Sequence, residues 1–307
     1  MLASFHLVAR AFAGVWQHQR SAGCQGGGRN VELSGRGGVV VGGGSGIGRG
    51  VALGLAAEGM RVLVADIDAD SAARVRDEIE ARGGRAAAEK VDATDPSSLE
   101  VLAAASSAHV GAVHVLVNTV GVVADTPLTN ATEAEWAWFT EFHLMSAVRT
   151  VNAFLPAMRA HGESGHIVLT SSMAGLLALS PAMTGGVNTG LYTVMKHALV
   201  GYGEMLRHEL EPVGIGVSVL CPGLVESNLA ATSARHRPAR FGGPMMDPTA
   251  GRGMPPGAMP NEAVGPFVVR GIKANRAYIL THPETRPLVE ARQRALLDDY
   301  AFFAAGE

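Results

Sequence analysis

Between Gly37 and Lys196, short β-branched runs alternate with stretches of helical length, and this alternation restricts the possible folds more than any other feature of the chain. GVVVG (38–42), RVLVAD (61–66), AAAEKVD (86–92), VHVLVN (113–118) and GHIVLTS (165–171) read as strands. They are nearly continuously apolar, which predicts burial on both faces. Between them lie GIGRGVALGLAAEG, DSAARVRDEIEARG, a segment opening at Asp95-Pro96, and one long helix from about Thr132 to Arg159. Pro96 just inside a helix start and Gly83 just past a helix end are ordinary helix punctuation. After Lys196 the helix continues, GIGVSVLCPG supplies a sixth strand and RAYILTH (276–282) a seventh. Such alternation gives an α/β fold with a doubly wound parallel sheet.

At 307 residues, 47% of them hydrophobic, the chain can bury a large core as a single domain, here 37–307. A net charge of -3 offers no basic surface for phosphate backbones or anionic lipid, so nucleic acid and membrane partners are not expected. No apolar run approaches the roughly 18 residues of a membrane-spanning helix. Cys24 and Cys221 are placed too differently to form a structural disulfide, and a reducing, cytoplasmic setting follows. Residues 1–36 carry Arg10, Arg20, Arg29 and Arg36 against only Glu32, the composition of a transit peptide or of an unstructured or misplaced start. They are left out of the expected fold. Residues 224–260 break the pattern with prolines, methionines and glycines after a strand's carboxyl end, where a lid over a site is expected.

Gly42, Gly46 and Gly48 fall at G-x-x-x-G-x-G spacing directly after a strand and at a helix start. Glycine there lets the backbone approach a pyrophosphate, whose charge sits at the helix amino end. Asp66 closes the second strand, twenty residues after Gly46, where a carboxylate accepts hydrogen bonds from an adenosine ribose and repels a 2'-phosphate. Ser45, rather than a base, precedes Gly46. NAD is therefore expected over NADP. The competing reading of Asp66 is a helix cap, a task Asp68 or Asp70 could equally perform. Asp92, at the third strand's end, is positioned for the adenine edge.

Tyr192 and Lys196 share one helix face at i,i+4 spacing. An ammonium beside a phenol favours the phenolate, so Tyr192 could exchange a proton with an alcohol while hydride passes to or from nicotinamide. Ser172, at the end of the fifth strand, could hydrogen-bond the substrate oxygen as charge develops. Histidines 109, 114, 143, 161 and 166 show no metal-like spacing, and no metal is assigned.

Over about residues 36–282 the chain resembles the short-chain dehydrogenase/reductase family, through GGGSGIG, the Asp66 strand end, Val91-Asp92, LVNTVG (116–121), SSMAG, YTVMK and CPGLVES (221–227). The resemblance implies a Rossmann-like sheet of about seven strands and a Ser-Tyr-Lys mechanism with Asn as a fourth member. It also implies dinucleotide contacts at Gly42, Ser45, Gly46, Ile47, Gly48, Asp66, Asp92, Ala93, Asn118, Tyr192, Lys196, Pro222, Gly223, Val225 and Ser227. A homotetramer or homodimer, joined through helices at about 132–159 and 189–212, is implied too. Four departures stand out. Val41 replaces the Thr that usually opens the glycine motif, and Thr119-Val120 stand within the family's NNAG pattern. His143 occupies the place of the catalytic Asn, and Ser172 and Tyr192 are twenty apart instead of thirteen. The extra residues fall in LSPAMTGGVNTG (179–190), and Ser180, twelve before Tyr192, is the competing serine. If His143 takes over the Asn's relay, an added ionisation near the imidazole's usual 6.5 is expected.

These readings predict an NAD-dependent oxidoreductase that interconverts a secondary alcohol and a ketone. Met245, Met246, Met254 and Met259, with Leu224, Val225 and Phe241, point to an apolar small molecule such as a steroid, terpenoid or alicyclic alcohol. The rival enzyme reading is a carbonyl reductase of a polyketide-like or acyl substrate, drawing on Arg235, His236, Arg237 and Arg240. A rival of another class is a catalytically weak NAD-binding sensor or scaffold, suggested by Val41, Thr119 and His143 together.

Overall fold

In the computed structural model, which describes residues 32–247 and 257–304, seven parallel strands form one sheet in the order β3-β2-β1-β4-β5-β6-β7. They are β1 (Gly37–Val41), β2 (Arg61–Asp66), β3 (Arg85–Lys90), β4 (Val113–Asn118), β5 (Gly165–Thr170), β6 (Ile215–Cys221) and β7 (Tyr278–Leu280). Strand order reverses between β1 and β4, so the loops leaving their carboxyl ends diverge and open a crevice. In register, Val41 lies beside Asn118. The glycine loop and the turn after β4 therefore meet at that crevice.

Side-chain alternation along β1 explains the two cores. Val40 points to one face and packs with Val51, Leu55, Val75, Ile79, Val264 and Val268. These belong to α1 (Gly46–Ala57), α2 (Ala69–Ala81) and, further on in the chain, a helix at Val264–Lys273. Val39 and Val41 point to the other face and pack with Leu99, Leu102, Val151, Phe154, Leu199 and Leu206. That face is covered by α3 (Pro96–Val110), by a helix at Ser146–Ala160 and by one at Gly190–Leu210. Burying one Val or Leu side chain contributes roughly 1.5–3 kcal/mol, so a sheet covered on both sides is stabilised from both. Strands β1, β4 and β5 are buried throughout, as expected. β3 is not: it is the sheet edge, its terminal Arg85 and Lys90 exposed and its middle half-buried.

The structure changes three further expectations. Leu33 is 1% exposed and belongs to the core, and Arg36 O accepts from Arg61 N, so the packed body begins before β1. Residues 1–31 lie outside the described residues. The single helix expected at 132–159 is three pieces: α4 (Glu133–Phe139), a π-helical turn at Thr140–Met145, and α5 (Ser146–Ala160). Thr132 and Glu135 form a capping box that fixes the start of α4. Arg149 spans the π turn to hold Glu141 at 2.7 Å.

The third change concerns the stretch expected to be a structureless lid. After α6 (Gly190–Leu210) and β6 it contains α7 (Leu229–His236) and a 3-10 turn at Ala239–Phe241, before α8 (Val264–Lys273). Its two arms close on each other, with Glu226 N donating to Met259 O and Met259 N to Leu224 O, both at 2.9 Å. Met254 lies outside the described residues. The described residues end in α9 (Arg286–Ala304), which has no buried residue.

Candidate active site at the carboxyl edge of the sheet

The glycine loop runs from β1 into α1. Gly46 has φ +50°, a left-handed conformation that side-chain-bearing residues rarely adopt. A Cβ on Gly48 would stand 2.1 Å from Gly42 O, so that position must be bare for helix and loop to pack. Ser45 caps α1 without a side-chain hydrogen bond, and no acidic residue lies in the first turn. The helix's first amides are thus available to an anion. Ile47 is half-buried against the core, and Ser227 approaches across the crevice: a Cβ on Gly46 would stand 3.1 Å from Ser227 Cβ.

Val41 cannot brace this loop, but Thr119 can. Its hydroxyl lies 2.9 Å from Gly42 O and 3.1 Å from Val41 O. The hydroxyl missing from the end of β1 is supplied by the residue after β4, so two apparent departures compensate each other. Asn118 is also committed to the scaffold. Its Nδ2 donates to Thr150 Oγ1 at 2.9 Å and its Oδ1 accepts from Val120 N at 3.2 Å, tying β4 to α5.

Asp66 accepts from Gly44 N at 2.9 Å and Asp68 N at 3.1 Å. Capping of α2 falls to Asp68, which accepts from Ser71 N, so Asp66 is not the helix cap. Burial raises the Asp66 carboxyl above its ordinary value, opposed by those amides. Arg74 donates to Ser71 Oγ, and its charge is matched by Asp68. Asp92 accepts from the Thr94 amide and hydroxyl at 2.8 and 2.7 Å, an Asx turn that orients Ala93 and the strand end.

Ser172, Tyr192 and Lys196 converge at the ends of β5 and β6. Ser172 Oγ accepts from Ala174 N at 3.1 Å and is a hydrogen-bond partner of the Tyr192 phenol. Ser171 has a different task, donating to Lys196 O at 2.7 Å and fastening α6 to β5. Ser180 is exposed beside the turn Pro181–Gly186, away from the buried cluster, so the longer serine-tyrosine spacing is a surface loop. That loop is held by Asp125, whose Oδ1 accepts from Asn188 N and Nδ2, both at 2.8 Å. Tyr192 lies in the first turn of α6 and does not inherit the insertion.

Lys196 is 3% exposed, and its Nζ donates to Thr170 O at 2.8 Å while lying 5.3 Å from the Tyr192 ring centroid. Burial lowers the lysine to about 7 and raises the tyrosine above its ordinary value. This reverses the sequence expectation: in the site as it stands, desolvation outweighs any pull of the ammonium on the phenol. Cys221, at the end of β6, is a buried free thiol pushed up to about 12 by burial, and so is neutral.

His143 is fully buried in the π turn, stacked on Phe139 at 5.5 Å and edge-on to Tyr192 at 5.4 Å. Its Nε2 lies 2.8 Å from Val122 O and 3.2 Å from Val122 N. The shorter contact assigns the proton to Nε2, which leaves Nδ1 as a buried acceptor without a partner. Burial, and then the Lys196 charge, hold this imidazole well below its ordinary value. The direction of this shift argues against an ionisation of His143 near neutrality.

Pro222 O is 3.5 Å from Ser172 Oγ, and Gly223 N donates to His282 Nδ1 at 3.0 Å, a contact that the sequence reading did not anticipate. Val225 is buried in the core and pairs with Met259. Around Tyr192 stands an apolar cluster of Val122, Trp138, Phe139, Leu191, Met195 and Phe241, with Met245 against it. Met246 is 90% exposed and Met259 packs into the sheet core, so of the described lid methionines only Met245 faces this cluster.

Among the described residues, topology does gather one His/Glu group that spacing concealed: His114, His161 and Glu163, at the opposite edge of the sheet. Glu163 already pairs with Arg36 at 3.3 Å, and His161 is satisfied by Val113 O and Glu163 N. These contacts explain the group without a cation.

Comparison with known proteins agrees with this fold. The short chain dehydrogenase profile matches residues 38–238, about two thirds of the chain. This chain belongs to the short-chain dehydrogenase/reductase family. It is 30% identical over 279 residues to a C alpha-dehydrogenase of Sphingobium sp. strain SYK-6, covering 85% of each chain. It is 31% identical over 194 residues to a cyclohexanol dehydrogenase of Acinetobacter sp. strain SE19, covering 63% of this chain and 74% of that one. A short-chain dehydrogenase/reductase from Burkholderia phymatum, solved in complex with NAD, superposes with a TM-score of 0.78 at 32% identity, covering 88% and 96%. The family assignment makes the protein an oxidoreductase acting on CH-OH donors. No helix among the described residues is long and apolar enough to cross a membrane.

Proposed function

We propose that this short-chain dehydrogenase/reductase is NAD-dependent and interconverts a secondary alcohol and a ketone on an apolar skeleton of the steroid, terpenoid or alicyclic kind. The observation that carries the substrate class is the aromatic and aliphatic cluster around Tyr192. The likeness to a cyclohexanol dehydrogenase supports it. The dinucleotide would lie along Gly42, Ser45, Gly46, Ile47 and Gly48, with its ribose at Asp66 and its adenine beside Asp92 and Ala93. Asn118 holds the strand end beneath it, and Pro222, Gly223, Val225 and Ser227 flank the nicotinamide end. When bound, the nicotinamide accepts or returns the hydride. Ser172 would hold the substrate oxygen and Tyr192 would move its proton. Lys196 would position the nicotinamide ribose. A binding-only sensor would not require these three side chains to converge.

A panel of secondary alcohols, assayed by NADH formation, tests the substrate class. Turnover of alicyclic or steroidal alcohols well above that of acyl-chain or charged ones is expected, and the reverse order defeats the reading. The rival acyl or polyketide-like substrate has one specific observation behind it. Trp138 Nε1 and Arg237 Nε are buried donors without partners, and the Arg237 guanidinium stacks 4.7 Å over the Trp138 ring. A substrate carrying a second acceptor oxygen could use them.

Cofactor choice rests on the Asp66 carboxylate. Because that side chain also holds Gly44 N, Asp66→Asn is a cleaner variant than Asp66→Ala: it keeps an acceptor and removes the charge. NADP affinity should rise about tenfold, the equivalent of roughly 1.4 kcal/mol of relieved repulsion, while NAD affinity falls severalfold. Tighter binding of NADP than NAD by the unaltered protein would refute the assignment.

His143 is read as a positioning residue, its neutral Nδ1 offering an acceptor beside Lys196. A Cβ on Gly121 would lie 3.1 Å from that Nδ1 and 3.6 Å from Lys196 Nζ, so both nitrogens border the same small space. His143→Ala should lower kcat about tenfold or more, and Asn should restore most of it. Neither variant should add or remove an ionisation between pH 5 and 8. An ionisation lost in the Asn variant would show that the imidazole does titrate.

Oligomerisation is inferred from the family, with the outward face of α6 as one interface. Its Met205 is 59% exposed, and nothing lies against Gly201.

A further inference from the structure

The helix α9 presents a problem that the rest of the fold does not solve. It is 19 residues long, yet none of its residues is buried. Leu296, Leu297, Tyr300, Phe302 and Phe303 are between 51% and 81% exposed. A solitary helix of this length is marginal in water, and helices in proteins owe most of their stability to packing an apolar face. The face exists here. Val289, Leu296 and Phe303 recur every seven residues, with Tyr300 one turn after Leu296, which lines them along one side of the helix.

We propose that α9 is an intermolecular element, pairing antiparallel with α9 of a second copy of this chain about a two-fold axis near Leu296. Charge decides both the occupant and the direction. The first half of the helix carries Arg286, Arg292 and Arg294 against Glu290, whereas the second half carries Asp298 and Asp299 and no base. An antiparallel pair sets the basic half of each copy against the acidic half of the other. Arg292 and Asp299 are seven apart and flank the same side of the apolar stripe. With Leu296 on the axis, Arg292 falls within one residue of facing Asp299 of the second copy, and this contact occurs twice. A parallel pair would instead set Arg292 against Arg292 and Asp299 against Asp299.

The stripe itself is open to a partner: Leu296, Tyr300 and Phe303 are 51%, 69% and 81% exposed, whereas Leu297 and Phe302 stand about 100–120° around the helix from it. This surface is separate from the α6 face inferred from the family. α9 also begins close to the active site: Thr285, just before it, lies 3.4 Å from Met173 Sδ, and His282 holds Gly223 N. Pairing would therefore fasten a segment that borders the site.

The test uses the full chain with Cys24→Ser as background. Leu296→Cys, on the axis, should give a covalent dimer under mild oxidation. Val289→Cys should not, because its two copies would be about 21 Å apart at 1.5 Å rise per residue. Equal cross-linking at both positions would mean a parallel pair, and cross-linking at neither would mean no pair; either result overturns the proposal. Charge reversal adds an independent arm. Arg292→Asp or Asp299→Arg alone should weaken Leu296→Cys cross-linking and raise the dissociation constant of this contact in sedimentation about tenfold, and the two together should restore both. Single reversals that change neither measurement would also overturn it.

Discussion

Tyr192→Phe is expected to cut kcat by about a thousandfold, within the 10²–10⁴ range that a positioned acid or base contributes. Dinucleotide affinity should change by no more than about threefold, because only a transferable proton is lost. The ring would still meet the edge of His143 at 5.4 Å and lie beneath Lys196 at 5.3 Å, so the fold around it should hold. The measurements are steady-state turnover of an alicyclic alcohol and dinucleotide binding followed by fluorescence. Burial keeps the Tyr192 phenol protonated at neutral pH. Ketone reduction, which needs a proton donor, should therefore be the faster direction near pH 7, and alcohol oxidation should gain as pH rises. If the Phe variant kept more than about a tenth of the wild-type kcat, the proton would have to move through another group.

What could be read in the sequence was whatever depends on local pattern. Runs such as RVLVAD and VHVLVN became β2 and β4 with the expected limits, because continuous apolarity and helix punctuation are local signals. The glycine loop was legible for the same reason. What could not be read depends on neighbours distant in sequence. Thr119 looked like a loss until the structure placed its hydroxyl on Gly42 O. The π turn that carries His143 leaves no periodicity signal, since one extra residue in a turn barely disturbs an apolar pattern. β3 looked buried by composition, but its position at the edge is a property of strand order. The stretch 224–260 looked structureless because prolines and glycines mask a helix as short as α7.

The electrostatics of the site were the least legible. Spacing put Tyr192 and Lys196 on one face, and pairwise reasoning then favoured a phenolate. That reasoning omits the desolvation of both groups, which is set by walls contributed by β5, β6, α4 and α6. Once those walls are in place, Lys196 points to Thr170 O, and Ser172 is the phenol's partner. The same burial holds His143 well below its ordinary value.

A second large effect follows from the cost of burying Lys196. Lys196→Met should lower kcat by at least a hundredfold, since it removes the group proposed to position the ribose, which also lies beside Tyr192. It should also make the dinucleotide-free protein more stable. Burial lowers the lysine from 10.5 to about 7. Between those values the unfolded chain binds a proton that the folded chain does not, so this residue's contribution to stability rises with pH across the window. Below about pH 7 both states are protonated, and the full cost of a buried ammonium is borne. Cys221 acts oppositely at higher pH. Its thiol is raised from 9.0 to about 12, so the unfolded chain loses that proton first and stability falls above pH 9. Met fills the lysine's volume but leaves Thr170 O without its donor, which offsets part of the gain. The net should be a Tm roughly 3–8 °C higher at pH 6, equivalent to about 1–3 kcal/mol, shrinking as pH approaches 9. Thermal unfolding of both proteins from pH 6 to 9 measures this difference. A variant that is less stable at pH 6, or whose advantage grows with pH, would mean that Lys196 is charged and well solvated in the folded protein.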